Sequence, residues 1–213
     1  MLKLVLMITI VQRKYSEDMI SYFGQNGVSM TFGRYARGTA TDSMLNYLGV
    51  AEKEKCIAFS MLPVELAMKV SKGLNKKIKD SFSFAVPISS VGGKNMMENL
   101  ENTNIPQNEG QANHYKFADE LILIVINRGF VDTVMEIARK AGAPGGTVIH
   151  ARGTGVGDAE KFFGVTVGAE KEMIFIVTER EKRDAIMKAV MENAGAGTPS
   201  GSVLFSLPVM KID

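Results

Sequence analysis

The segment Gly145-Gly146-Thr147-Val148-Ile149-His150-Ala151-Arg152-Gly153-Thr154-Gly155 holds the residues best suited to chemistry, a strand-like run with glycines at both ends. Glycine permits positive φ and close backbone approach, freed N–H groups can form an anion nest, and arginine is a planar bidentate donor for phosphate or carboxylate. Arg152, Gly153, Thr154 and Gly155 are therefore candidate ligand-binding residues. A bulge and a surface loop with a salt-bridged arginine would produce the same pattern. The turn Gly195-Ala196-Gly197-Thr198-Pro199-Ser200-Gly201 adds Thr198, Ser200 and Gly201, although helix termination explains it equally well.

His150 could act as a general base, a metal ligand or a stacked ring. No second His, Cys or close carboxylate cluster accompanies it, which argues against a metal. His114 reads as solvated, and Cys56, heading an apolar run, as a small buried hydrophobe. Ser81, Ser89 and Ser90 have no evident His and Asp partners, and neither a Gly-x-Ser-x-Gly elbow nor a phosphate-loop motif is present. Without paired carboxylates or a nucleophile and base, the reading is a non-enzyme with no resident metal.

The elements that must position these residues belong to a chain of 213 residues, 46% hydrophobic and 23% charged, the composition of a globular protein. Its 25 Lys+Arg against 23 Asp+Glu leave +2, too near neutral for a nucleic-acid binder held by bulk charge. No run reaches the roughly 18 apolar residues of a membrane span, and Leu2 to Val11 lacks a basic leader and cleavage pattern. With a single cysteine, this points to the cytoplasm.

An internal repeat organises the chain. At an offset of 115, Arg13 meets Arg128, Gly27 meets Gly142, Ala36-Arg37-Gly38-Thr39 meets Ala151-Arg152-Gly153-Thr154, and Gly49-Val50 meets Gly164-Val165. Phe84 meets Phe205 and Pro87 meets Pro208 at 121, so the second copy has gained residues in between. Two domains follow, 1–91 and 119–213, joined by an Asn-rich flexible linker at 92–118. The repeat also makes Arg37, Gly38 and Thr39 weaker ligand-binding candidates. Tyr35 stands where the second copy has His150, favouring an aromatic packing or stacking role there.

Each copy opens with an apolar run, Leu4 to Val11 or Leu121 to Ile126, predicting a buried strand. A helix follows: Val131, Val134, Met135 and Ala138 form one stripe before Gly142, and Met19, Ile20 and Phe23 do so before Gly27. A second strand comes next, Val28 to Arg37 or Thr147 to Arg152, then an irregular segment that in the second copy extends to about Glu170. Third strands span Lys55 to Leu62 and Glu172 to Thr178, second helices start at Pro63 and about Arg180, and the last strands are Phe82 to Ile88 and Ser202 to Val209. The mixed charge run Glu179 to Asp184 reads as a solvated helix end. The stretch Lys72 to Ser81 is lysine-rich. The β-α-β-β-α-β order is that of a ferredoxin-like α+β domain, an antiparallel sheet with two helices on one face. Its other face, carrying Phe82, Phe84 and Val86, calls for cover from the second domain or from other copies, hence a homo-oligomer.

The repeat order, the Gly-Gly-Thr-Val-Ile-His-Ala-Arg-Gly-Thr-Gly segment and Leu204-Phe205-Ser206-Leu207-Pro208-Val209 together resemble the P-II nitrogen regulatory family, in its tandem two-domain form with the first copy more diverged. The resemblance implies a signalling protein whose ferredoxin-like domains associate around a threefold axis. It would sense adenine nucleotides, ATP, ADP or AMP, at clefts between domains and grip a regulated partner protein through a long loop. That loop would run from Gly153-Thr154-Gly155 through Phe162-Phe163-Gly164. The phosphate-cupping turn of the family has a Gly-Asp-Gly-Lys-type sequence and reads here Pro199-Ser200-Gly201-Ser202, without acid or lysine. No tyrosine lies in the loop for nucleotidylation. The expectation is a sensor of a small anionic ligand; the alternatives are an oligomeric scaffold with decayed clefts and a divalent-metal responder resting on His150.

Overall fold

A computed structural model describes residues 4–28, 30–39, 54–88, 117–152, 160–162, 165–167 and 170–212. The chain divides into two compact units. Unit 1 comprises Met1–Tyr35, Glu54–Ala118 and Pro208–Asp213; unit 2 comprises Ala36–Lys53 and Asp119–Leu207. The linker residues 92–116 lie outside the described residues, whereas Phe117 packs against the unit 1 core.

In unit 1 the elements are β1 (Leu4–Gln12), α1 (Ser16–Gln25), β2 (Thr31–Gly38), β3 (Glu54–Pro63), α2 (Val64–Lys77) and β4 (Phe82–Pro87). The strands lie in the order β2-β3-β1-β4, with β1 antiparallel to both neighbours and Ile8 opposite Phe59 and Phe84. Alternation decides which side chains meet the helices: Val5, Met7 and Val11 pack with Met19 and Phe23 of α1 and with Ala67, Val70 and Leu74 of α2. Burying one such side chain is worth about 1.5–3 kcal/mol. Phe82 and Phe84, on the opposite face, touch with ring centroids 5.7 Å apart.

Unit 2 has β5 (Asp119–Asn127), α3 (Val131–Lys140), β6 (Thr147–Arg152), β7 (Glu160–Phe162), β8 (Val165–Val167), β9 (Glu170–Glu179), α4 (Arg180–Ala194) and β10 (Val203–Lys211). Its strand order, β6-β9-β5-β10, is the one seen in unit 1, and this is the ferredoxin-like α+β arrangement. Ile122, Ile124 and Ile126 share their face with Ile174 and Ile176, and pack against Val134, Met135 and Ala138 of α3 and Ile186 and Val190 of α4. The last residues of β10, Met210 and Lys211, group with unit 1 and pair with Ala85 and Phe84 of β4. Arg37 and Gly38, ending β2, group with unit 2 and pair with Val148 and Thr147.

Helix ends repeat between the units. After α1, Gly27 at φ 80° lets the Val28 N–H reach the Phe23 carbonyl at 3.1 Å; after α3, Gly142 at φ 102° lets the Ala143 N–H reach Ala138 at 3.0 Å. Both are left-handed stops of the kind glycine supplies without side-chain strain.

Two expectations change. The segment after β6, read as irregular, contains the hairpin β7–β8, with Glu160 opposite Val167; its short strands carry too few residues for an alternation signal. The Glu179 to Asp184 run is more than a solvated end. Arg180 and Arg183 reach the buried Glu120 carboxylate at 3.1 and 3.4 Å, because β5 begins beside the start of α4. Cys56 is buried as expected, and that burial raises its thiol pKa.

Candidate functional site

The groups capable of chemistry in unit 2 gather where β5 and β6 end, β9 begins and the turn into β10 lies. Register places His150 opposite Glu172 and Arg152 opposite Glu170, while Ile126 and Asn127 stand opposite Glu172 and Lys171. Residues on one rung share a face, so Glu172 continues the row of Ile174 and Ile176 beyond the helix-covered core. Its carboxylate is buried and accepts the Gly129 N–H at 2.9 Å. The His150 Nδ1 lies 3.6 Å from its other oxygen. Sequence reasoning favoured a packing or stacking role for His150; the ring is exposed and its near neighbour is this acid.

Arg128, in the turn after β5, forms an ion pair with Glu170. The bond and the charge of Arg128, with smaller contributions from Arg152 and His150, hold the Glu170 carboxyl below the usual carboxylate range, and Arg128 is correspondingly raised. Both groups are exposed, so the pair acts in solvent and adds little stability. Unit 1 has the same device: Arg13 bonds Glu54 at 3.1 Å, and its guanidinium lies 4.2 Å from the centroid of the Tyr35 ring. The spacing concealed the match. Arg13 and Arg128 are 115 apart, but Glu54 and Glu170 are 116 apart, so a fixed offset pairs the arginines and misses the acids.

Arg152 ends β6 and is exposed, and Gly153, Thr154 and Gly155 lie outside the described residues. In the turn, the Thr198 hydroxyl lies 2.8 Å from the Gly195 carbonyl and 2.7 Å from the Ser200 hydroxyl, and Ser200 donates to the Ala194 carbonyl at 2.7 Å. Two hydroxyl protons thus serve three contacts within the turn. Gly201 adopts φ 54°, and a Cβ there would stand 3.0 Å from the Asn127 amide nitrogen, whose N–H bonds the Pro199 carbonyl at 2.9 Å. Lys171 bonds the same Asn127 side chain at 2.8 Å. The turn is therefore tied to the end of β5. The N–H groups of Ala196 and Gly197, both exposed residues, have no hydrogen-bond partner among the described residues.

Arg37 is exposed, while Thr39 is buried and its hydroxyl is taken up by the Gly146 backbone. Within unit 2, Arg152 and the Thr198–Gly201 turn are thus associated with opposite sides of the β5–β9 pair, with Arg128, Glu170 and Glu172 between them; those three residues were not among the sequence candidates.

The family model described as nitrogen regulatory protein P-II matches residues 120–213, which contain this whole cluster. Residues 120–213 are thus similar to nitrogen regulatory protein P-II. Comparison with curated proteins finds no match. Among solved structures, Arabidopsis thaliana PII bound to citrate is similar over 43% of this chain and 74% of its own length, at 20% identity and a TM-score of 0.34. The matched half supplies the strand ends and the turn, and Arg152 ends its β6 just before residue 153. Among the described residues of the chain, no helix is long and apolar enough to cross a membrane.

Proposed function

We propose that this chain is a tandem P-II-like signal-transduction protein that senses a small anionic ligand, an adenine nucleotide such as ATP, ADP or AMP, and regulates a partner protein through the segment after β6. The observation that carries the reading is that Arg152, Arg128 and a turn that offers unpaired N–H groups belong to neighbouring strand ends, inside a stretch matching the P-II family model. Planar guanidinium groups and free backbone amides are donors suited to a phosphate or carboxylate. Ligand contacts are assigned to Arg152, Gly153, Thr154 and Gly155 with Thr198, Ser200 and Gly201, and more weakly to Arg37, Gly38 and Thr39. Thr39 serves the Gly146 backbone.

In this proposal the chain is a duplication, with P-II-like domains at 1–91 and 119–213 and a linker at 92–118. The common strand order and the paired Arg13–Glu54 and Arg128–Glu170 contacts support it. The protein works in the cytoplasm as a homo-oligomer of trimer-type symmetry, coupling two sites rather than catalysing a reaction.

A thermal-shift titration against ATP, ADP, AMP and 2-oxoglutarate tests the reading. A hundredfold excess over the dissociation constant stabilises by about 2.7 kcal/mol, which for a chain of this size raises the midpoint by roughly 5–10 °C. One nucleotide should produce that rise, and Arg152→Ala should remove it. No rise with any nucleotide would leave an oligomeric scaffold as the better description.

A further inference from the structure

We infer that the outward face of α2 in unit 1 is a docking surface for an anionic lipid membrane. Val64, Ala67, Val70, Ser71 and Leu74 turn inward and are buried, which leaves Lys69, Lys72 and Lys76 in one stripe on the opposite side. At 1.5 Å rise per residue the stripe is about 10 Å long. Lys79 continues the charge just past the helix, and the Lys77 ammonium lies 4.9 Å from the Tyr22 ring centroid. Over residues 64–80 five lysines face two acids, Glu65 and Asp80, a local excess of three positive charges in a chain whose total is +2.

The equivalent helix of unit 2 sets this face apart. On α4 the cations are matched: Lys182 with Glu179 at 2.9 Å, Arg183 with Asp184 at 2.8 Å, and Lys188 with Glu192 at 3.9 Å. Lys69, Lys72, Lys76 and Lys79 make no ion pair among the described residues. Like charges three and four residues apart oppose helix formation. An anionic surface removes that repulsion.

The chemistry selects the partner. Every cation here is lysine, a compact, strongly hydrated charge on a flexible stem, rather than arginine, whose fork reads phosphates and base edges bidentately. No aromatic residue lies on α2 to stack a base, and the exposed apolar neighbour of the stripe is Met68. A convex lysine ridge with an apolar flank fits a fluid sheet of anionic headgroups. Attraction of this kind is worth about 1 kcal/mol per lysine, roughly fivefold in affinity, and decays within about 8 Å at physiological salt.

Sedimentation of the full chain with phosphatidylcholine vesicles, with and without phosphatidylserine, tests this. Binding should require phosphatidylserine and weaken as salt rises. K69Q/K72Q/K76Q, folded by circular dichroism, should bind roughly 100-fold more weakly. K140Q/K182Q/K188Q loses the same charge from unit 2 and should bind like the parent. No binding to the anionic vesicles, an equal loss in both variants, or tighter binding to duplex DNA or single-stranded RNA than to vesicles would each overturn the proposal. None of these readouts uses a nucleotide, so the result is independent of the sensor function.

Discussion

The Thr39 hydroxyl accepts the Gly146 N–H at 2.8 Å and approaches the Gly146 carbonyl at 2.9 Å, while the Thr39 backbone N–H donates to that carbonyl at 2.9 Å. A residue 107 positions away in sequence therefore completes the backbone hydrogen bonding at the start of β6. Gly146 is tightly surrounded, since a Cβ would stand 3.1 Å from the Ile174 Cγ2 and the Phe175 carbonyl oxygen and those neighbours would have to give by a few tenths of an ångström. Thr39→Val keeps the shape and deletes the acceptor, leaving the Gly146 N–H unpaired. The expected loss is about 1–3 kcal/mol by urea unfolding, with Thr39→Ser close to the parent. A loss in Thr39→Ser with none in Thr39→Val would mean that the methyl group, not the hydroxyl, matters.

The turn before β10 allows a paired test. A Cβ on Gly195 would run into the Met191 carbonyl, a backbone atom that cannot swing aside, whereas one on Gly197 would meet nothing within 4 Å. Gly195→Ala should cost about 1–3 kcal/mol and Gly197→Ala less than about 0.5 kcal/mol, read from denaturation midpoints at unchanged slope.

Glu120 is buried at the start of β5, with Arg180 and Arg183 as its partners. Both arginines keep partial access to water, which moderates the effect of losing the acid. Glu120→Ala should lower stability by about 1–3 kcal/mol, a fall of roughly 2–12 °C in midpoint for a chain of this length. An unchanged midpoint would show that solvent screens these contacts almost completely.

The Arg128–Glu170 pair gives a pH dependence of definite sign. Because Arg128 holds the Glu170 carboxyl below its unfolded value, the contribution is present above an unfolded pKa of about 4.3 and is lost as pH falls through the lower folded value. Glu170→Gln should therefore differ from the parent at neutral pH by a small amount, and that difference should vanish in acid. A difference that grew as pH fell would contradict the assignment.

Periodicity made much of the fold legible. The apolar runs at Leu4 to Val11 and Leu121 to Ile126 became β1 and β5, the Val131, Val134, Met135 and Ala138 stripe became the inner face of α3, and Gly27 and Gly142 became the stops of α1 and α3. These features depend on neighbours within a turn or two, and residue types encode such local preferences directly. The second strand began later than expected, at Thr31, because Val28 is used in the helix stop.

The sequence by itself determined the β-α-β-β-α-β order, the stripes that form the two cores and the resemblance to P-II proteins. The tertiary structure alone decided that Glu170 faces Arg128, that Glu120 lies beneath Arg180 and Arg183, that Thr39 serves Gly146, and that Lys69, Lys72 and Lys76 of α2 make no ion pair among the described residues. The physical reason is range. Secondary structure follows from torsional and hydrophobic preferences of adjacent residues, whereas ion pairs and hydrogen bonds between distant strands arise only when sheet register sets side chains 42 to 107 positions apart within a few ångströms.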